Sequence, residues 1–305
     1  MKARLTHSLH DNMELFYGET RLFRYVYMPK TDQYESPKPY FHPLYTLAGN
    51  KVSIFRPYDH IWHKGIAMTA SHLSGENFWG GGSYVHGQGY VDLDNNGRIQ
   101  HRTWENIECD GNRINFNEQL QWITYAGETW IDEERNISVN EIDPEKGYWS
   151  LDFGFRLKNV RGETLTFASP TTKGRPMAGY GGLFWRGPRS FLNGTIMAAH
   201  GLEGPEVMGK SAAWLAFIGS HDGNEEVSTI LFLDHPDNLR FPNKWFVRND
   251  PYACVSFSFM FNEEYELEAG DELVLNYRIL LGNGEWSRER IEEYWSQVKD
   301  RKWIG

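Results

Sequence analysis

A large antiparallel β-sandwich with one late helix is predicted by three observations on this sequence. Apolar residues recur with a two-residue period through most of the ordered stretches. Turn-forming runs of Asn, Asp and Gly separate several of those stretches. Helical spacing of apolar residues is convincing once, near the C-terminus.

Taken in order, Glu14 to Tyr17, Arg21 to Tyr27 and Lys51 to Phe55 read as early strands. Asp94-Asn95-Asn96-Gly97 has the small residues that tolerate a hairpin turn. Between Glu105 and Trp149 two or three antiparallel strands are expected, with Asp110-Gly111-Asn112 as one turn and the acidic Asp132-Glu133-Glu134 as a solvated one. Leu120 to Tyr125 belongs to this group. Leu151, Phe153, Phe155 and Leu157 alternate with Asp152, Gly154, Arg156 and Lys158, so one face is expected to be buried and the other exposed. Asn159-Val160-Arg161-Gly162 then leads to Glu163 to Ala168 as a hairpin partner. Val227 to Leu233, Ala253 to Phe261 and Leu273 to Leu281 complete the strands. A helix is predicted over about 287–302: Ser287 caps it, Glu289 suits its positive end, and Ile291, Tyr294, Trp295 and Val298 form its apolar stripe. No fixed-period repeat and no Ser/Pro-rich linker divides the chain, so one domain over 1–305 is expected.

Composition narrows the function classes. The 12 Trp, 16 Tyr and 18 Phe supply large buried areas to a chain whose hydrophobic fraction is a modest 40%, which excludes general disorder. A net charge of −10, with no basic stripe, argues against a nucleic-acid partner. The first residues carry no apolar signal core, and no run approaches the roughly 18 apolar residues of a membrane span; no membrane partner and a cytoplasmic location are expected. Cys109 and Cys254 are too far apart in sequence to form a ligand motif and are expected as reduced thiols.

Four polar-aromatic segments carry candidate chemistry. In the first, His42, Arg56, Asp59, His60 and His63 combine imidazoles with a carboxylate that can orient one of them and a cation that can hold oxygen. Histidines three apart leave a metal open without fixing a third ligand. In the second, Trp79 and His86 flank Gly80-Gly81-Gly82, where backbone can approach a ligand or another strand closely. The third holds Arg175, Trp185 and Arg186 among glycines and prolines, outside the expected strands. In the fourth, Asp234-His235 at a strand end forms a second candidate proton-transfer pair, with Pro236 stiffening the exit. No Gly-x-Ser-x-Gly elbow or Cys-His nucleophile arrangement is present.

Asp59-His60-Ile61-Trp62-His63-Lys64-Gly65, Asn77-Phe78-Trp79-Gly80, Ser169-Pro170-Thr171-Thr172-Lys173-Gly174-Arg175-Pro176, Gly179 to Pro188 and Phe232-Leu233-Asp234-His235-Pro236 together resemble the bacterial family labelled PmoA-like or DUF6807. The likeness runs roughly from Tyr40 to Gly284. The methane-oxygenase activity in that label needs membrane-spanning segments and is not carried over. The resemblance implies a soluble β-rich protein of sugar catabolism. A looser similarity links the chain to the β-supersandwich of galactose mutarotase-like proteins, whose histidine acid and glutamate base are assigned to no residue here.

The expected function is acid-base catalysis on a sugar or sugar derivative, as isomerase, lyase or glycosidase. His60, His63, Asp59, His235 and Asp234 are the expected catalytic groups. His42, Arg56, Trp79, His86, Arg175, Trp185 and Arg186 are expected to bind a small carbohydrate, with no cofactor. The alternative is a carbohydrate-binding protein without turnover. Oligomeric state is not legible.

Overall fold

Two facing antiparallel sheets build the molecule, as seen in a computed structural model that describes residues 1–304. The first sheet has eight strands, in the order Ala3–Ser8, Asn12–Tyr17, Thr20–Val26, Tyr40–Leu44, Ile66–Thr69, Gly182–Arg186, Cys254–Ser258 and Lys244–Arg248. The second runs Thr195–Ala198, Trp214–Ser220, Val227–Asp234, Glu272–Asn283, Tyr148–Asn159, Thr129–Val139, Arg113–Ile123 and Arg98–Asp110, with Ile142–Asp143 added beside Tyr148–Asn159. The predicted β-sandwich is therefore the observed fold.

The core forms where the inner faces interdigitate. Trp185 of the first sheet meets Phe217 and Phe232 of the second, each at 5.4 Å between ring centroids. Phe41 packs edge-on against Phe153 at 5.5 Å, and Phe257 lies 4.2 Å from Tyr277. One continuous buried cluster extends from Met13 to Trp303. The helix Arg288–Val298 starts at Ser287, whose hydroxyl accepts the Arg290 amide. Its buried residues are Ile291, Tyr294 and Val298. Tyr294 meets Tyr148, and its hydroxyl accepts a bond from Arg278, whose guanidinium also grips Asp152 through two bonds of 2.6 and 2.8 Å. Asp152, expected on an exposed face, is consequently fully buried.

Three further expectations are corrected. Asp132-Glu133-Glu134 is no turn but lies inside the strand Thr129–Val139. Glu133 is buried there because Trp122 Nε1 and Arg135 Nε donate to its two oxygens, each at 2.6 Å. Lys51 to Phe55 forms only isolated bridges, from Lys51 to Tyr45 and from Phe55 to Lys64. Asn159-Val160-Arg161-Gly162 does not close a hairpin, since Leu165–Ala168 leaves the main sheet to pair with Tyr265–Leu267 and His72–Leu73. The turn at Asp110-Gly111-Asn112 does join two paired strands, and Gly111 takes the left-handed φ of 62° that the tight connection requires.

Candidate active site

The site lies on the outer face of the first sheet, away from the inter-sheet core. Strand alternation places it there. Along Gly182–Arg186, Trp185 enters the core, whereas Phe184 and Arg186 take the other face. Along Lys244–Arg248, Trp245 and Val247 join the core, and Phe246 and Arg248 emerge with Phe184. Loops from both halves of the chain rise around these residues and enclose a cavity of about 400 Å³. Its aromatic walls are Tyr34, Trp62, Trp79, Tyr90, Tyr180, Phe184, Phe246 and Tyr252; its polar groups are His60, His63, Asp92, Arg175 and Arg248.

Local chemistry holds the walls. Asn77 brackets the glycine-rich loop: its Oδ1 accepts the amides of Trp79 and Gly80 at 2.8 and 2.9 Å, and its Nδ2 donates to the Gly81 carbonyl and to Ser83. Gly80, at φ 108°, passes so close to Trp62 and the Glu35 carbonyl that a Cβ would lie 2.6 and 2.7 Å from them. The close approach expected of this run is thus to the protein's own indole and turn. Buried Lys38 donates to the carbonyls of Glu35, Ser36 and Trp79, fastening the turn Gln33–Glu35 to the same loop.

The two histidines differ in chemical state. His63 is buried, and its Nδ1 lies 2.8 Å from Arg186 Nη1. A guanidinium only donates, so His63 Nδ1 accepts and its proton resides on Nε2. Burial, then the neighbouring His60 and Arg186, push its pKa well below the usual imidazole value and keep it neutral. Its Nε2 has no protein partner among the described residues. His60 presents the opposite tautomer. Asp59 Oδ2 accepts from His60 Nδ1 at 2.8 Å, which leaves the lone pair of neutral His60 on Nε2. Burial lowers the His60 pKa, opposed by Asp59 and assisted by Arg186 and Arg248. Burial would raise Asp59, but bonds from Arg186, at 2.8 Å, and from His60 outweigh it and hold the carboxyl below its ordinary value. The imidazoles stack at 4.6 Å with planes 9° apart. One ring thus carries a bare nitrogen, and the ring stacked on it carries a buried N–H with no protein partner among the described residues.

Several expected site residues have other duties. Arg186, expected outside the strands, ends Gly182–Arg186 and is buried; it reaches Asp59 and His63 and lies 3.8 Å over the Tyr252 ring. Trp185 is in the core, its indole donating to the Val52 carbonyl at 2.8 Å. Arg56 is bound to Glu35 through both Nε and Nη2, and Lys64 bonds the same carboxylate at 2.9 Å. His42 pairs with Ser53 at 2.9 Å and stacks on Phe55; burial lowers its pKa to about 4. His86 is exposed beside the Gly174 turn. None of Trp185, Arg56, His42 or His86 lines the cavity.

Asp234 and His235 do not form the expected pair. Asp234 is buried and accepts from Asn238 Nδ2 at 2.7 Å and from the Asn243 amide at 2.8 Å. The His235 ring packs edge-on against Trp303 at 4.7 Å, and its Nδ1 accepts the Asp237 amide. Among the described residues no three His, Cys, Asp or Glu side chains converge as a metal set. The sequence reading left out Tyr34, Tyr90, Asp92, Pro251 and Tyr252. Tyr90 and Asp92 alternate around the short strand Gly89–Val91, a weak period-two signal; Tyr34 and Tyr252 offered none.

Fold and site define a β-sandwich protein with an aromatic-walled, histidine-bearing pocket on the outer face of one sheet. The chain belongs to the family of unknown function DUF6807, whose model matches residues 12–296. PmoA-like is no part of that description. No curated protein matches. Among solved structures, the chain is similar to an alpha-galactosidase from Lactobacillus brevis at 10% identity and a TM-score of 0.41, covering 97% of this chain and 42% of that one. It is similar to a putative kojibiose phosphorylase from human microbiome at 10% identity and a TM-score of 0.34, over 68% of this chain and 25% of that one. A third likeness is to the GH36 alpha-galactosidase AgaA from Geobacillus stearothermophilus, at 9% identity and a TM-score of 0.36, over 93% of this chain and 41% of that one. The chain spans less than half the length of each. Among the described residues no helix is long and apolar enough to cross a membrane.

Proposed function

We propose that the chain is a carbohydrate-directed enzyme that moves a proton at a carbon next to a carbonyl, as an isomerase or lyase does. The observation that carries this reading is the tautomer pair: His60 offers a bare Nε2 held by Asp59, and neutral His63 offers an Nε2–H. His60 takes the carbon-bound proton, and His63 donates a hydrogen bond to the oxygen on which negative charge develops. A neutral imidazole suits this second role, because it stabilises an oxyanion without surrendering its proton prematurely. Trp79, Tyr180 and Phe184 provide rings on which the apolar face of a sugar can rest. Hydrolysis of a glycosidic bond by two facing carboxylates fits less well. Asp92 is the one carboxylate lining the cavity, and Asp59 is engaged by Arg186 and His60.

The test is proton exchange in D2O. Purified protein is incubated with a panel of aldoses, ketoses, keto-sugars and glycosides and followed by NMR. Deuterium is expected to enter a keto-sugar or ketose at the carbon beside the carbonyl. Binding without exchange across the panel would replace this reading with that of a carbohydrate-binding protein, and glycoside cleavage without exchange would replace it with a hydrolase.

A further inference from the structure

The cavity holds more positive charge than its own residues neutralise. Arg248 lines it, and among the described residues its guanidinium has no acidic partner; it lies 5.2 Å from the centroid of the Phe246 ring. Arg175 lines the same cavity and bonds the Tyr90 hydroxyl, itself 2.8 Å from the Tyr180 hydroxyl, again with no carboxylate. Asp92 is the one acidic group on the lining, and both histidines are neutral. By contrast, Arg186, Arg56, Arg135 and Arg278 each engage a carboxylate. In a chain of net charge −10, acids to pair with an arginine are plentiful. Arg248 is half-buried against aromatic walls without a carboxylate, so its guanidinium is available to an anionic ligand.

Arg248 stands close to the histidine pair. Arg248 ends a strand whose register sets it opposite Cys254, two residues beyond Tyr252, whose ring lies 5.1 Å from His60. Arg248 is also near enough to disfavour the charged form of His60. A carboxylate seated on Arg248 would therefore lie beside the proton-accepting imidazole, and the planar guanidinium fork matches a carboxylate through two parallel bonds.

Resting on the reading of this cavity as a sugar site, we propose that its ligand is a sugar acid, a uronate or aldonate, whose carboxylate is held by Arg248 with Arg175 as the second cation. The test is equilibrium binding, by calorimetry or ligand-observed NMR, of D-glucuronate, D-galacturonate and D-gluconate against D-glucose and D-galactose. At least one acid is expected to bind about tenfold or more tightly than its neutral counterpart, the value of one charge-assisted contact. That preference should shrink with added salt. Arg248→Gln should lower the acid-over-neutral ratio by about tenfold and Arg248→Lys by less. The far-ultraviolet circular dichroism and melting temperature of both variants check their fold, and the salt dependence of the unaltered protein tests the idea without them. Equal affinity for acids and neutral sugars, or no binding of any acid in the panel, overturns the inference. Arg248-dependent binding of an acid without exchange in D2O leaves it standing while removing the catalytic reading; exchange in a neutral keto-sugar without any preference for acids does the reverse.

Discussion

Asp59-His60 and Asp234-His235 are one dipeptide in two environments. The first sits in a loop above the outer face of a sheet, where carboxylate and imidazole bond each other at 2.8 Å beside a cavity. The second ends a central strand; its carboxylate turns inward to Asn238 and Asn243, and its imidazole turns to Trp303. Adjacent side chains on an extended backbone point to opposite faces, so a dipeptide at a strand end is separated by the pleat itself. In a loop that constraint is gone, and Arg186 can draw Asp59 back toward the histidines. The lesson is that two residue types in sequence make a proton-transfer pair only where the backbone lets them meet.

The largest expected break in the comparison comes from the histidines. His60→Ala should slow exchange of the carbon-bound proton in D2O by about 10²–10⁴-fold, the usual worth of a positioned base. His235→Ala should leave that rate within about twofold, because its ring touches Trp303 and not the cavity. Comparable losses in both variants would dissolve the distinction.

Asp234 should declare itself through stability and its pH dependence. Burial raises its pKa from 3.8 to about 6. The fold thus favours the protonated form: the contribution is fully present below the unfolded value near pH 4 and is lost as pH rises through about 6. Relative to Asp234→Asn, the unaltered protein should lose about 2–3 kcal/mol of unfolding free energy between pH 4 and pH 7. Urea midpoints across that interval measure it, and parallel curves for the two proteins would refute the assignment.

A smaller effect separates the two aspartates. Asp59 raises the His60 pKa against burial. Asp59→Asn should therefore move the acid limb of the pH–rate profile to lower pH and, by weakening the base, reduce exchange by about tenfold. In the unaltered protein that limb should already lie below the ordinary imidazole value of about 6.5, since the net shift is downward. A limb that rises in the variant would reverse the assigned role.

Much of the fold was legible because alternation is a local record of burial. The runs around Phe153, Leu275 and Val255 were readable as strands, and Ser287 marked the helix start. The same rule could have sorted Trp185 from Phe184 and Arg186, since neighbours on a strand cannot share a face. Asp132-Glu133-Glu134 misled because acidity usually signals solvent. Glu133 is buried only because Arg135 and Trp122 supply three-dimensional partners, and Arg135 reaches further to Tyr25 on the other sheet.

Sequence by itself determined the sandwich class and the capped helix, and it marked His60, His63, Trp79 and Arg175 as polar-aromatic loop residues. Only the tertiary structure decided which tautomer each histidine holds, which arginines are spent on carboxylates, and that Arg248 joins the cavity unpaired. Periodicity and turn chemistry depend on neighbours a few residues away. A proton's location depends on donors such as Arg186, which lies 123 residues from His63 in the chain and 2.8 Å away in space.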